Sequence, residues 1–367
     1  MTVRIAFPFV GDSIGGSHIS AALLMRGLEA EGFAPVALVH TQGPLAEWLE
    51  SQQIEAMRAD LPYLASGGGV GAVARLAAAA PQLTAFLRSR DFPVVHANDG
   101  RMIATWMPAA RLGGRVGIAH RRTRWSASRL AHLTLRLASG VIAISGYVRD
   151  SLPADLRRRA IVIKNPFVDS TPPREQARRA VNDLVGAGGA IVGFVGTLQA
   201  QKRPDVFLRA AAAIRRQRPD ARFLLIGRSG ELEGPMRALC AELGLAGVTT
   251  FAGFRADAPI LLGGCDLLLA PAINEGHGRA LVEAMMASVP VVAARSGGHL
   301  EVIQADRTGL LIPPDDPQAL ADAALALLDQ PDRAQAMAAA ARAWAASEFS
   351  PAAHAAAVAT FYRRFLS

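Results

Sequence analysis

The densest chemistry in this 367-residue chain lies in one short run, Asn274-Glu275-Gly276-His277-Gly278-Arg279-Ala280-Leu281-Val282-Glu283-Ala284-Met285. It follows an apolar segment and turns helical. Gly276 and Gly278 therefore free the backbone where the helix begins, and first-turn N–H groups have no acceptor within a helix. Such a start is a seat for an anion. Glu275 lies before the seat, and Glu283 lies about one and a half turns beyond it if the helix begins near Gly278. Carboxylates beside a phosphate repel it unless they face something else. Neighbouring hydroxyls of a hexose or a ribose are suitable partners, because one carboxylate accepts two hydrogen bonds. A ligand ordered as hexose, diphosphate, ribose and base, which is a nucleotide sugar, presents its groups in that sequence. Two glutamates with seven residues between them prove little alone in a chain with 31 acidic residues. The glycine-rich strand-to-helix setting is what gives them weight.

Three other loops have related chemistry. Gly193-Phe194-Val195-Gly196-Thr197-Leu198-Gln199-Ala200-Gln201-Lys202-Arg203-Pro204 places two cations just before a proline suited to the first helical position. Cations at a helix start suit a diphosphate whose charge grows as it leaves, although solvated surface cations are the alternative reading. Ser296-Gly297-Gly298-His299-Leu300-Glu301 repeats the paired-glycine pattern and reads either as a loop closing on the same ligand or as a plain turn. Near the N-terminus, Gly11-Asp12-Ser13-Ile14-Gly15-Gly16-Ser17-His18 joins a first strand to a first helix. It departs from Gly-x-Gly-x-x-Gly, so hydride-transfer chemistry gains little support.

These loops need a scaffold, and the hydropathy pattern supplies one. Strands are expected at Val3–Val10, Ala34–His40, Val94–Ala97, Arg115–Ala119, Gly140–Ile144 and Ala160–Ile163. Helices fall between them at Ser17–Glu31, Leu45–Gln53, Gly71–Arg90 and Arg129–Leu137. The turn-rich stretch Asn165–Pro173, followed by charged residues, reads as a linker. A second series then gives strands at Ile191–Val195, Arg222–Ile226, Val248–Phe251, Leu267–Pro271, Val289–Ala293 and Leu310–Ile312. Its helices are expected at Pro204–Gln217, Glu231–Leu243, Leu281–Ala287 and Pro317–Leu328, and a last helix at Pro351–Phe365. The expected fold is α/β, with two Rossmann-like, doubly wound domains facing across a cleft: residues 1–168, residues 169–349, and a closing helix in 350–367 that crosses back to the first domain.

Composition bounds the reading. With 51% hydrophobic and 19% charged residues the chain can fill two cores, and Cys240 and Cys265 form no metal-ligand pattern or disulfide framework, which suits a reducing compartment. The opening run Thr2–Phe9 is short and contains Pro8, so a buried strand is expected rather than a leader. No apolar stretch reaches the roughly 20 residues that span a bilayer. Of the net charge of +8, residues 101–160 supply +10, from 12 arginines against Asp150 and Asp155. That concentration favours a phosphate-bearing partner such as an anionic membrane surface, against the plainer reading of an arginine-rich genome.

The stretch Asn274–Ala287, with Pro290-Val291-Val292-Ala293, Gly297-Gly298-His299-Leu300-Glu301 and Thr308-Gly309-Leu310-Leu311-Ile312, resembles glycosyltransferase family 4, of the GT-B fold. Gly15-Gly16, Ser145 and Asn165-Pro166-Phe167-Val168-Asp169 fit the same likeness. The resemblance implies retention of anomeric configuration, a nucleotide-sugar donor, and no metal or other cofactor. The sequence also lacks the Asp-x-Asp handle of the other major glycosyltransferase fold. Carried over by position, Glu275 contacts the donor sugar, Glu283 the ribose and Lys202 the diphosphate. Gly276, His277, Gly278, Arg279, Ala280 and Leu281 surround sugar or phosphate, Phe254 and Arg255 lie near the base, and Gly15, Gly16 and Gly196 line the donor site. His120 takes the place of a histidine near the transferred sugar, with an ordinary strand-end histidine as the alternative. Thr197 stands where the family commonly has a second diphosphate-clamping arginine, for which Arg203 or Arg279 is a substitute. His277 stands where Phe is common.

The expected activity is hexosyl transfer from a UDP- or GDP-sugar to a glycan or lipid-linked acceptor, in the cytoplasm at the inner membrane face, for envelope polysaccharide or lipopolysaccharide assembly. Nucleic acid is not an expected partner. Two rivals are an epimerase of the same architecture, which converts the sugar without releasing nucleoside diphosphate, and a non-catalytic sugar-nucleotide-binding protein.

Overall fold

The computed structural model describes residues 2–65, 70–125 and 129–366; residues 126–128 of the predicted basic stretch lie outside the described residues. The chain divides into two units, residues 1–167 with 349–367, and residues 168–348.

In the first unit the elements run β1 (Val3–Phe9), α1 (Gly16–Ala30), β2 (Phe33–Val39), α2 (Pro44–Ser51), β3 (Ala56–Arg58), α3 (Val70–Ser89), β4 (Val94–Ala97), α4 (Gly100–Gly113), β5 (Val116–Arg121), α5 (Arg129–Arg136), β6 (Gly140–Ala143), α6 (Gly146–Asp150), α7 (Ala154–Arg157) and β7 (Ala160–Val162). Among the described residues they form a parallel sheet ordered β3-β2-β1-β4-β5-β6-β7. Strand alternation assigns the faces. Ile5, Phe7 and Phe9 of β1 join one core with Leu24 and Met25, while Ala6 joins the other with Leu83, Leu87 and Trp106.

In the second unit come α8 (Arg174–Val185), β8 (Ile191–Val195), a 3₁₀ turn (Ala200–Lys202), α9 (Pro204–Gln217), β9 (Arg222–Ile226), α10 (Glu233–Glu242), β10 (Thr249–Phe251), α11 (Ala258–Gly263), β11 (Leu267–Ala270), α12 (Arg279–Met286), β12 (Val291–Ala294), α13 (His299–Val302), β13 (Leu310–Ile312), α14 (Pro317–Leu328) and α15 (Pro331–Glu348). Their sheet is also parallel, ordered β10-β9-β8-β11-β12-β13. In both sheets the order reverses beside the first strand of the unit, and ligands of such sheets bind at the carboxyl ends near that point.

The charged residues after Pro173 correct one expectation: they continue as α8 and not as linker. Ala177 and Val181, four apart, are buried on one face, and Arg174 and Arg178 on the next clamp Asp266 at 2.8 and 2.6 Å.

The final helix, α16 (Pro351–Leu366), packs on α1 within the first unit. Phe167 N donates to Phe349 O at 3.0 Å, so the chain leaves and re-enters that unit side by side. Where α16 meets α1, a Cβ on Gly27 would lie 2.5 Å from Ala355 Cβ. Gly27→Ala is therefore expected to overpack the contact and lower stability by about 1–3 kcal/mol, read as a shift of the first unit's transition in a urea titration. Gly234→Ala on α10, whose Cβ meets nothing within 4 Å, is the control and should leave the midpoint unchanged or slightly raised. An unmoved midpoint for Gly27→Ala would refute the close contact.

Candidate functional site

The site of the second unit grows from two adjacent strands. β8 ends at Val195 and passes into Gly196 and the Lys202 turn; β11 ends at Ala270 and passes into the Glu275 loop. The two loops are tied together: Ile273 N donates to Gln201 O at 2.9 Å, and Gln201 Nε2 donates to Asn274 O at 3.1 Å. Gly196 lets the lysine stem cross close to the backbone, since a Cβ there would sit 3.1 Å from Lys202 Cδ. The result sets Lys202 Nζ 2.5 Å from Glu275 Oε1, an ion pair whose carboxylate side chain is only 13% exposed.

A third loop braces the second. Gly298 N donates to Glu275 O at 2.8 Å. Gly297 has φ +57°, and its Cβ would fall 2.6 Å from Glu275 O; a Cβ on Gly298 would fall 2.6 Å from Gly276 O. The paired glycines are thus needed for backbone against backbone, a role neither sequence reading anticipated. Asn274, at φ +56°, donates its N–H to Ser296 Oγ at 3.0 Å.

α12 opens after Gly278 at φ +93°, a conformation that favours glycine. Its first turn, Lys202, Glu275, Thr197 and Glu283 line one cavity of about 240 Å³ at the carboxyl ends of β8 and β11. Arg279 Nε lies 2.7 Å from Glu283 Oε1, yet burial still raises the Glu283 carboxyl above its ordinary value. His299 joins the lining. Its Nδ1 is 3.0 Å from Ala294 O, a pure acceptor, so the ring donates there and leaves Nε2 with a lone pair near Gly278. Burial lowers the His299 pKa and keeps the ring neutral.

Of the predicted residues, Gly196, Thr197, Lys202, Glu275, Gly278, Arg279, Ala280, Leu281 and Glu283 come together at this cavity. Others do not line it. Arg203 sits at φ +54° and is held by Asp205 and Asp315. Phe254 is 59% exposed under Arg228, Arg255 pairs with Asp257 at 2.7 Å, and His277 is buried in the loop that Gly298 covers. Gly276 belongs to that same covered segment. His299 was read from sequence only as part of a loop closing on the ligand, with no role of its own, yet it lines the cavity.

Gly15, Gly16 and His120 belong to the first unit. Gly15 caps α1, its N–H donating to His18 Nδ1 at 3.0 Å. His120 on β5 is fully buried, with Nδ1 3.1 Å from His96 Nε2. In the basic stretch, Arg101 pairs with Asp12 and Arg136 with Asp155, Arg122 bonds Asn98 and Asn165, and Arg159 bonds the Ala138 carbonyl. Arg111, Arg124, Arg129, Arg157 and Arg158 remain exposed.

Two doubly wound parallel-sheet domains, the second with a cation and two carboxylates around a helix start, define the GT-B class of fold. The likeness extends to solved structures: Anabaena HepE in complex with UDP and glucose superposes with a TM-score of 0.83 at 22% identity, over 98% of this chain and 99% of that one. Residues 182–344 match the family model described as glycosyl transferases group 1. The chain is 32% identical over 244 residues to a 2-deoxystreptamine glucosyltransferase of Streptomyces kanamyceticus, covering 63% of this chain and 62% of that protein. It is 29% identical to the lipopolysaccharide core biosynthesis mannosyltransferase LpsB of Rhizobium meliloti, covering 67% and 70%. The match to the first of these relatives spans about six-tenths of that relative's own length. The family match lies wholly within the second unit, and the chain is related to glycosyltransferases.

The Arg279–Glu283 pair yields a pH test. A carboxyl whose folded pKa is raised makes the fold lose stability as pH rises from the ordinary carboxylate value through the raised one. Arg279→Leu removes the cation that opposes this rise. Its melting-temperature deficit against the parent protein should therefore widen as pH rises above the ordinary carboxylate range, followed by differential scanning fluorimetry. A deficit that stays constant or narrows would show that Arg279 does not hold Glu283 ionised.

Proposed function

We propose that this chain transfers a hexosyl unit from a UDP- or GDP-sugar to an acceptor hydroxyl, with retention of configuration and without a metal. One observation carries the reading: Lys202, Glu275, Glu283 and the first turn of α12 line a single cavity in the family-matched unit. A diphosphate seated at the helix start takes Lys202 as its cation. Glu275, released from that ion pair, then accepts hydrogen bonds from hydroxyls of the donor sugar, and Glu283 from those of the ribose. As the glycosidic bond breaks, charge builds on the leaving diphosphate, where Lys202 and the helix start stabilise it. The leaving diphosphate takes the acceptor proton on the same face, so no protein side chain is assigned as general base.

The kinship with the Rhizobium lipopolysaccharide core biosynthesis mannosyltransferase supports a glycan or lipid-linked acceptor in envelope polysaccharide or lipopolysaccharide assembly. Among the described residues no helix is long and apolar enough to cross a membrane. Contact with an anionic membrane surface at the cytoplasmic side would then be peripheral, through the exposed arginines of residues 111–158. Removing the charges of Arg111, Arg124, Arg129, Arg157 and Arg158 should abolish sedimentation with anionic vesicles; undiminished sedimentation would sink the membrane part of the reading.

Donor binding is tested with a thermal-shift panel of UDP-, GDP-, ADP- and TDP-sugars in EDTA. A true donor at a hundredfold excess over its Kd stabilises by about 2.7 kcal/mol. Release of nucleoside diphosphate on adding acceptor separates transfer from epimerisation and from mere binding. Lys202→Ala should cut that release about 10²- to 10³-fold, the usual loss when one group on a developing charge is removed. Turnover that survives Lys202→Ala, or that needs a divalent ion, would overturn the mechanism.

A further inference from the structure

His299 is only 1% exposed, yet it lines the cavity that holds Lys202, Glu275 and the first turn of α12. The loop that carries it is the one that braces the Glu275 backbone: Gly298 N donates to Glu275 O, and His299 is the next residue. The ring is held at two edges. Its Nδ1 lies 3.0 Å from Ala294 O at the end of β12. Its other edge rests on Gly278, where a Cβ would fall 2.9 Å from Cδ2 and 3.3 Å from Nε2. Gly278 thus serves the ring as well as the left-handed turn, because a side chain there would push against the imidazole. Nε2 itself makes no hydrogen bond among the described residues.

A backbone carbonyl only accepts, so the His299 proton is on Nδ1 and the lone pair is on Nε2. Burial lowers the ring's pKa and keeps it neutral. That polarity is wrong for a phosphate oxygen, which also only accepts and already has Lys202 and the helix start to meet it. A hydroxyl suits it, because a hydroxyl donates. Place then separates one set of hydroxyls from the other. The charges acting on the ring are those of Glu275 and Lys202, at the hexose and diphosphate end of the proposed site, and not that of Glu283 at the ribose end. A lone pair in a closed, occupied cavity must be met by a donor or stay unpaired at a cost.

We propose that His299 is a specificity-determining residue, whose Nε2 accepts a hydrogen bond from one hydroxyl of the donor hexose. The inference rests on the glycosyltransferase reading and deepens it. Glu275 offers two oxygens and several lone pairs, so it can grip hydroxyls in more than one arrangement. An imidazole fixed at both edges offers one lone pair in one direction. It therefore makes a single hydroxyl the condition for accepting a sugar. A hexose that is deoxygenated at that carbon, or substituted there by a group that cannot donate, leaves Nε2 unmatched, and sites built around a hydroxyl reject the analogue that lacks it. No proton changes hands, so His299 is not a base.

The parent chain is tested first, by long-range proton–nitrogen spectra with histidine labelled. His299 Nε2 should carry no proton, and its resonance should move more with UDP-glucose or GDP-mannose, whichever the thermal-shift panel selects, than with the matching nucleoside diphosphate. A proton on Nε2, or equal movement with both ligands, overturns the inference. Two variants then separate recognition from packing. His299→Asn keeps an amide N–H beside Ala294 O but brings no acceptor to the cavity; His299→Gln reaches to where Nε2 stood and offers its amide oxygen. In calorimetric titrations His299→Asn should bind the nucleotide sugar about tenfold more weakly than the parent and the nucleoside diphosphate equally well, with most of the loss recovered in His299→Gln. Among donors deoxygenated at each hexose carbon in turn, one should bind the parent about tenfold more weakly yet bind His299→Asn no worse than the full donor does. A merely structural role weakens the nucleotide sugar and the nucleoside diphosphate alike, and that result overturns the proposal. A parent chain that binds neither ligand ends the transferase reading and this inference with it. One that binds both, with His299→Asn indistinguishable from it, removes the inference alone.

Discussion

The ion pair of Lys202 with Glu275 is the contact around which the second unit's site is arranged. Opposite charges 2.5 Å apart, on a carboxylate with little exposure, persist only if both backbones are held. Three loops do that holding, each leaving a different strand end. The β8 loop presents Lys202, the β11 loop presents Glu275, and the β12 loop lays Gly297 and Gly298 against the Glu275 backbone. Side chains at those two glycines would push the β11 loop away, because the neighbouring atoms are main chain and cannot rotate aside. The pairing is therefore a property of the parallel sheet: adjacent strands end at one edge, and their loops must share the space there.

The two units solve a common problem by different means. In the second, charges are neutralised in pairs, Lys202 with Glu275 and Arg279 with Glu283. In the first, buried polarity is built from neutral rings, whose hydrogen bonds propagate from Tyr362 through His96 to His120. A neutral network avoids the several kcal/mol that desolvating an ion costs, but every proton in it must be placed, so one ring's tautomer dictates the next. That dependence reaches from α16 to the end of β5, and it gives the closing helix more to do than cover a hydrophobic face.

How far this was legible from sequence depends on periodicity. Val94–Ala97, Ile191–Val195, Arg222–Ile226, Leu310–Ile312, Pro204–Gln217 and Pro317–Leu328 have the bounds their patterns predict, because strands buried on both faces read as apolar runs and amphipathic helices show a stripe. α4 was not legible for the opposite reason. Eight of its residues, from Met102 to Ala110, are buried, so it shows no polar face by which to recognise it. β3, three residues at a sheet edge with two exposed, offers too little apolar signal. α8 was masked by its arginines, three of which precede Val181 while only Ala177 and Val181 turn inward. At the site, residue types announced Lys202 and the two glutamates. Arg203 could not be separated from Lys202 without the left-handed turn that sends it to Asp205 and Asp315.

The paired charges also bear on what the proposed site can recognise. A sugar alone, bringing hydroxyls and no charge, leaves Lys202 with Glu275 and gains little. A diphosphate alone can take Lys202, but it strands Glu275, a carboxylate whose hydrogen-bonding needs must then be met in a largely buried position. Only a ligand with both parts repays the exchange: phosphate replaces the carboxylate on lysine while hydroxyls replace lysine on the carboxylate. The same logic holds for Arg279 and Glu283 one helical turn apart, with ribose hydroxyls as the second partner. On this view the carboxylates do not merely grip a sugar. They make the anion's seat conditional on the sugar's presence, so selectivity for an intact nucleotide sugar over its product arises from the ground state of the empty site.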